Sequence, residues 1–224
     1  MPPPTPTPLP DAVLFDMDGL LVDTEPQWFE AERRTVERLG GRWGKQQQVD
    51  LLGSNLEFAA RYMVRHTGST WSVSDVMDLL LENMSAELAQ GVQFRPGALE
   101  LLVDLRHASV PLALVTSSVR VHVDVVLAAL PVDAFRDHVT GDDVRHLKPH
   151  PEPYLTALAR LSVEAARCVV LEDSPAGVES AEAAGCTVVA VPSVVPIGPS
   201  PTRTVVPSLV DVDLALLAGL VTPS

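Results

Sequence analysis

Two aspartates one residue apart, Asp16 and Asp18, end the apolar run Ala12-Val13-Leu14-Phe15, and Gly19 follows at once. An apolar run of this kind just after Pro10 reads as a buried parallel strand. Alternation along an extended backbone puts Asp16 and Asp18 on the same side and turns Met17 away. Gly19 permits a sharp turn where a side chain would clash. Paired carboxylates at the C-terminal end of a buried strand sit where open α/β sheets place their ligands. Nucleophilic attack, acid–base work and binding of a hard cation are all within their chemistry. Two other readings of Asp-x-Asp-Gly stand beside these. A calcium loop would continue with oxygen ligands to a Glu at the twelfth position, but here Leu20 and Val22 interrupt and the twelfth residue is Gln27. A strand end with solvated aspartates is the second.

Further groups follow strand-like runs downstream. Thr116-Ser117-Ser118 ends Val110–Val115, Lys148 lies in His146-Leu147-Lys148-Pro149-His150-Pro151, and Glu172-Asp173 ends Cys168–Leu171. Taken singly, Thr116 and its neighbours read equally well as a helix cap. Lys148 alone is ordinary solvated surface, and Glu172-Asp173 could be acids favoured by a helix dipole. In a parallel sheet, however, the ends of strands emerge on one edge, so these residues can meet in one crevice.

The elements that must position them alternate. Helical spacing marks 26–39, 56–64 and 73–88, with Ser72 and Ser74 as candidate caps, and no strand is evident from 26 to 90. From residue 97 onward the pattern is helix 98–107, strand 110–115, helix 119–130, a short strand within 134–140, helix 151–161, strand 168–171, helix 175–184 and strand 186–191. The tract 192–207 reads as an irregular Pro/Ser-rich loop with a possible edge strand at Val205-Val206, and 212–220 as a last helix. This implies an α/β fold, a doubly wound, Rossmann-like parallel sheet with a small all-helical domain inserted after the first strand. The predicted division is 11–22 plus 93–224 for the sheet domain, 23–92 for the helical insert and 1–10 for an extended, mobile Pro-rich tail.

Composition narrows the partners. The 224-residue chain is 46% hydrophobic, enough for a sizeable core, with no apolar run of about 18 residues that would span a membrane. The N-terminus has no signal-peptide pattern. A net charge of −13 argues against nucleic acid, and an anionic substrate would need a metal and a few placed cations to invert the local field. Cys168 and Cys186 each lie beside apolar runs and read as buried thiols, which suits the cytoplasm. The six histidines show no paired ligand spacing; surface or structural roles are expected, with His146 and His150 possible at a substrate mouth.

The stretch Phe15-Asp16-Met17-Asp18-Gly19-Leu20-Leu21-Val22-Asp23-Thr24-Glu25-Pro26 resembles the first motif of the haloacid dehalogenase superfamily, in the branch of sugar-phosphate phosphatases and β-phosphoglucomutase. The other groups match its remaining motifs in order, over about residues 11–191. The resemblance implies a phosphatase acting on a small phosphorylated metabolite, a sugar or polyol phosphate, and usually a monomer. Asp16 would be the nucleophile, Asp18 the general acid and base, and Thr116 and Lys148 catalytic partners. Phosphate would be bound by Gly19, Ser117 and Ser118. Mg²⁺ would be held by Asp16, Asp18 and Asp173, with Glu172 a ligand or an acceptor behind them. The bond after Lys148 is commonly cis in the family. The helical insert would be a cap, with Glu25 and Trp28 contacting substrate, although packing of Trp28 in the cap is an equal reading. A β-phosphoglucomutase-type mutase is the runner-up; cations expected around Gly53 for a second phosphate are absent from Leu51 to Leu56. A metal-binding regulator without activity is the remote alternative.

Overall fold

The computed structural model describes residues 8–51, 54–131 and 133–221. Most of the predicted tail and the neighbourhood of Gly53 lie outside the described residues. The chain divides into two compact units. One comprises the chain up to Val22, Phe94–Arg120 and everything from Leu130 onward, and the other comprises Asp23–Gln93 with Val121–Ala129.

The first unit is built on a parallel sheet. Among the described residues its strands are β1 (Ala12–Phe15), β2 (Leu112–Val115), β3 (Asp137–Val139), β4 (Cys168–Glu172), β5 (Thr187–Ala190) and β6 (Arg203–Val205), in the spatial order β3-β2-β1-β4-β5-β6. The strand order reverses beside β1, which pairs with β2 through Val13↔Leu112 and with β4 through Val13↔Val169. Every residue of β1, β2 and β4 is buried, which is why their sequences read as unbroken apolar runs and not as alternation. The helices α5 (Ala98–His107), α7 (Glu152–Leu161), α8 (Pro175–Ala183) and α9 (Leu214–Leu220) complete this unit. On one face, Leu14, Ala113, Val115 and Val170 pack with Tyr154 and Leu158 of α7 and Val178 and Ala181 of α8. Cys168 and Cys186 belong to the same core, and burial pushes both thiols up to about 12. They are inert apolar filling, as the sequence suggested.

The second unit is helical, with α1 (Glu25–Arg38), α2 (Lys45–Leu51), α3 (Leu56–Thr67) and α4 (Val73–Leu88). Its core gathers Ala31, Val36, Ala60, Met63, Leu80 and Met84. Asn55 caps α3 by accepting from Phe58 N–H at 2.9 Å, and Ser72, rather than Ser74, caps α4 by accepting from Asp75 N–H at 3.1 Å.

Three details differ from the predicted elements. Helix α2 falls in Lys45-Gln46-Gln47-Gln48-Val49-Asp50-Leu51, too polar to carry a period, and Val49 is exposed. The last helix begins at Leu214, because Asp213 accepts from Leu216 N–H at 2.7 Å and caps it there. Most of α6 (Arg120–Ala129) groups with the helical unit, although the predicted sheet domain ran through it. The cause is visible within that unit. His122 Nε2 meets Ser85 Oγ at 3.0 Å, its ring stands edge-on to Trp28, and Val125 packs on the helical core.

Candidate active site

The backbone that presents the carboxylates is pinned until the sheet ends. Asp16 N–H donates to Leu171 O at 3.0 Å, so the residue after β1 is still tied to β4. The chain then turns tightly: Leu21 N–H and Val22 N–H both donate to Met17 O at 3.0 Å, and Gly19 N–H donates to Val22 O at 2.8 Å. Gly19 holds φ +88°, and a Cβ placed there would fall 2.1 Å from Asp173 Oδ2. Glycine is required here twice over, by conformation and by the approach of the carboxylate.

Lys148 organises the floor of the site. It comes from the loop before α7, where the Lys148–Pro149 peptide is cis, as the family resemblance suggested. Its ammonium donates to Asp16 Oδ1 at 2.6 Å, to Glu172 Oε1 at 2.6 Å and to Val115 O at 2.8 Å. All three donors of the ammonium are thereby used. Burial works against its charge, but the Asp16 and Glu172 carboxylates outweigh that and hold it protonated.

Glu172 is the last residue of β4 and is fully buried. Its Oε1 also accepts from Tyr154 Oη at 2.7 Å, and its Oε2 accepts from Asp173 N–H at 3.1 Å and Ser174 Oγ at 3.2 Å. It lies so close to α8 that a Cβ on Gly177 would come within 1.8 Å of Oε1. With both oxygens engaged, Glu172 orients Lys148 and the β4–α8 turn.

Asp18 faces β2. Asp18 Oδ2 accepts from Ser118 Oγ at 2.7 Å and from Thr116 Oγ1 at 3.2 Å, while Thr116 Oγ1 accepts from Ser118 N–H at 3.0 Å. Ser117 between them is exposed. Asp173 accepts a short hydrogen bond from Ser193 Oγ. Burial, reinforced by Glu172, pushes the Asp173 carboxyl up to about 7 against that bond. Burial also drives Asp16 well above its usual range; Lys148 pulls it back, and Glu172, Asp173 and Asp18 push it further.

Asp16 Oδ2 is buried with no hydrogen-bond partner among the described residues. Asp16, Glu172 and Asp173 each place a carboxylate oxygen within 4.8 Å of the others. An orphaned buried carboxylate oxygen, an all-oxygen donor set and carboxyls whose charge burial opposes together fit a hard divalent cation. The acidic cluster can hold a metal.

The sheet unit thus gathers Asp16, Asp18, Gly19, Thr116, Ser118, Lys148, Glu172 and Asp173. Glu25 and Trp28 belong to the helical unit, where Glu25 opens α1 and Trp28 packs against the helical core. Two participants carry no mark in the motifs. Tyr154 lies in the first turn of α7, and a buried phenol in an acidic neighbourhood is the signal that could have found it. Ser193 sits in the Pro/Ser-rich tract, where nothing singles it out.

A family model for haloacid dehalogenase-like hydrolases matches residues 13–191. The chain belongs to this family. That span of the haloacid dehalogenase-like hydrolases takes in all four polar groups of the sheet edge. Two curated relatives are a phosphorylated carbohydrates phosphatase of Thermotoga maritima, 34% identical over 78% of this chain and 82% of that protein, and hexitol phosphatase A of Escherichia coli, 34% identical over 91% and 88%. Among solved structures, CbbY from Rhodobacter sphaeroides in complex with phosphate superposes with a TM-score of 0.80 at 27% identity, covering 91% of this chain and 96% of that one. A β-phosphoglucomutase-like protein from Thermotoga maritima superposes at 0.75 with 29% identity, over 94% and 99%. The sheet edge described above is therefore the candidate active site of a haloacid dehalogenase-like hydrolase.

Proposed function

We propose that this protein is a phosphatase that hydrolyses a small phosphomonoester, a sugar or polyol phosphate, through a phosphoryl group carried on Asp16. The observation that carries the reading is the state of Asp16. Oδ1 is fixed by Lys148 at 2.6 Å, Oδ2 is buried with no partner among the described residues, and the carboxylate lies with those of Glu172 and Asp173.

In the first step an Asp16 carboxylate oxygen attacks phosphorus and the ester oxygen leaves, taking a proton from Asp18. Asp18 then removes a proton from water as the water oxygen attacks phosphorus. The bond to Asp16 breaks, releasing inorganic phosphate and restoring the carboxylate. Thr116 and Ser118 hold Asp18 in place for both transfers. Lys148 neutralises charge as it gathers on Asp16 and the phosphoryl oxygens, a contribution made in advance by fixed geometry. Asp16 and Asp173, with the Asp18 carbonyl, would hold Mg²⁺, which supplies charge neutralisation at the transferring phosphoryl group. Glu172 is better suited to orienting Lys148 than to ligation, since its oxygens already accept four hydrogen bonds or more.

The helical unit, taken as a cap, would choose the leaving group, with Glu25 at its start. Hydrolysis is favoured over a mutase by the lack of Lys and Arg from Leu51 to Leu56. A monomer acting in the cytoplasm is the matching expectation, in keeping with two buried free thiols.

The test is a panel of sugar, polyol and glycerol phosphates with Mg²⁺, read as released phosphate, for the wild type and Asp16→Asn. Turnover by the folded Asp16→Asn protein would sink the mechanism. Phosphorus NMR of β-glucose 1-phosphate separates the rival: glucose 6-phosphate formed without net phosphate release would establish a mutase.

A further inference from the structure

A second set of metal-ligating side chains lies in the loop that carries Lys148. His146, His150 and Glu152 each place a ligand atom within 4.8 Å of the others. His146 Nδ1 is 2.8 Å from Glu152 Oε2, and His150 Nδ1 is 4.0 Å from that same oxygen. The two imidazoles face one another, with ring centroids 4.5 Å apart and planes tilted by 32°.

The three ligands differ in freedom. Glu152 is fixed: its Oε1 accepts from Arg145 N–H at 3.0 Å and its Oε2 from His146 N–H at 3.1 Å. These backbone donors fix the carboxylate in place beside the His146 ring. The imidazoles are half or more exposed and can rotate. Pro149, Pro151 and Pro153 alternate with His150 and Glu152, restricting φ at every second residue and the backbone of the residue before each. The backbone is therefore already ordered, and rotation of exposed rings is what remains to be done.

We propose that His146, His150 and Glu152 form a binding site for a borderline divalent transition-metal ion of the zinc class, separate from the acidic cluster. Zinc binds imidazole nitrogen and carboxylate oxygen at about 2.0–2.2 Å, which puts ligand atoms roughly 3.3–3.5 Å apart in a tetrahedron. His146 Nδ1 would open slightly from its 2.8 Å contact with Glu152 Oε2 and His150 Nδ1 would close in from 4.0 Å, both within the reach of two rotating rings. His150 Nδ1 at present accepts from Glu152 N–H at 3.1 Å, and the ring gives up that contact or ligates through Nε2. Two imidazoles with one carboxylate suit zinc, copper or nickel and not Mg²⁺, whereas the acidic cluster offers oxygen alone. Ligand type thus sorts two classes of ion between two places in one chain. Because the ligands flank Lys148 on both sides, an ion bound there braces the loop that supplies the ammonium to Asp16.

The test uses the full-length protein in saturating Mg²⁺, titrated calorimetrically with zinc chloride, with Co²⁺ absorbance reporting imidazole ligation. One equivalent of Zn²⁺ is expected to bind to the wild type and to Asp173→Asn. His146→Ala/His150→Ala, and separately Glu152→Gln, should weaken it by about 100-fold or more, the loss of a direct ligand exceeding that of an outer hydrogen bond. Circular dichroism checks that the variants are folded. An unchanged Zn²⁺ isotherm in the folded double-histidine variant, or loss of binding in Asp173→Asn alone, overturns the proposal.

Discussion

Lys148 and Tyr154 donate to one and the same oxygen, Glu172 Oε1, at 2.6 and 2.7 Å. The ammonium also stands 4.9 Å from the centre of the Tyr154 ring. One carboxylate oxygen and one aromatic face thus fix the position from which Lys148 reaches Asp16, and neither group needs to touch substrate to do so.

Replacing Lys148 should expose how much depends on that position. Lys148→Met removes the cation between two buried carboxylates, so it should cost about 3–5 kcal/mol of stability near neutral pH. Turnover should fall about 100- to 1000-fold or more as the fixed charge is lost. Urea unfolding and steady-state phosphate release measure the two effects. A variant as stable as the wild type would mean that the ion pair does not hold the site together.

Tyr154→Phe keeps the ring and deletes the donor to Glu172. The cost should be about 2 kcal/mol in unfolding free energy, as for a hydrogen bond to a charged acceptor. The kinetic signature is a fall in kcat with KM unchanged, because Lys148 is loosened while the surface that meets the leaving group is untouched. A change confined to KM would contradict this.

Gly19→Ala should act on metal affinity. The added methyl would lie 2.1 Å from Asp173 Oδ2 at a backbone φ of +88°, so Asp173 must move. The Mg²⁺ concentration for half-maximal activity should rise by about tenfold or more. Unaltered Mg²⁺ dependence in a folded variant would place the cation elsewhere.

Glu32 gives the helical unit a pH dependence of its own. Burial raises its carboxyl to about 7; the Trp43 indole N–H, 3.0 Å away, opposes the rise, and Glu25 adds to it. The folded chain then holds this proton more tightly than the unfolded chain does. Stability from this group is full below the unfolded value of about 4.5 and is lost as pH rises through about 7, roughly 3 kcal/mol in all. Glu32→Gln keeps an acceptor for Trp43 and should remove that slope. Urea midpoints measured from about pH 5 to about pH 8 test it, and parallel slopes for wild type and variant would reject it.

The sheet and its reactive edge were legible because burial leaves a plain trace: runs such as Ala12–Phe15 and Cys168–Leu171 are apolar at every position, and each polar residue that ends one is conspicuous. The pairing of Lys148 with Asp16 follows from motif order, but its sharing of Glu172 with Tyr154 does not, since that depends on how α7 lies on the sheet. Helix α2 left no trace because its surface is mostly solvated, so Gln46 to Gln48 carry no period. Ser193 was invisible because a serine in an irregular tract acquires meaning only from the carboxylate it meets. Trp28 and His122 become neighbours through the folding of α6 within the helical unit, which no local pattern encodes.

The helical insert leaves and rejoins the chain at one doorway. Val22 bridges to Phe94 and Arg95 N–H donates to Leu21 O at 3.0 Å, while just beyond, Asp23 N–H donates to Gln93 O at 2.8 Å. A segment whose two ends already touch asks almost nothing of the scaffold that hosts it, since its length enters the closure entropy only logarithmically. The length of the seventy-odd residues between those ends can therefore change without altering the strand register, provided that Ser85 and Trp28 still meet His122 of α6. On such a plan the helical insert and the sheet are free to change at different rates.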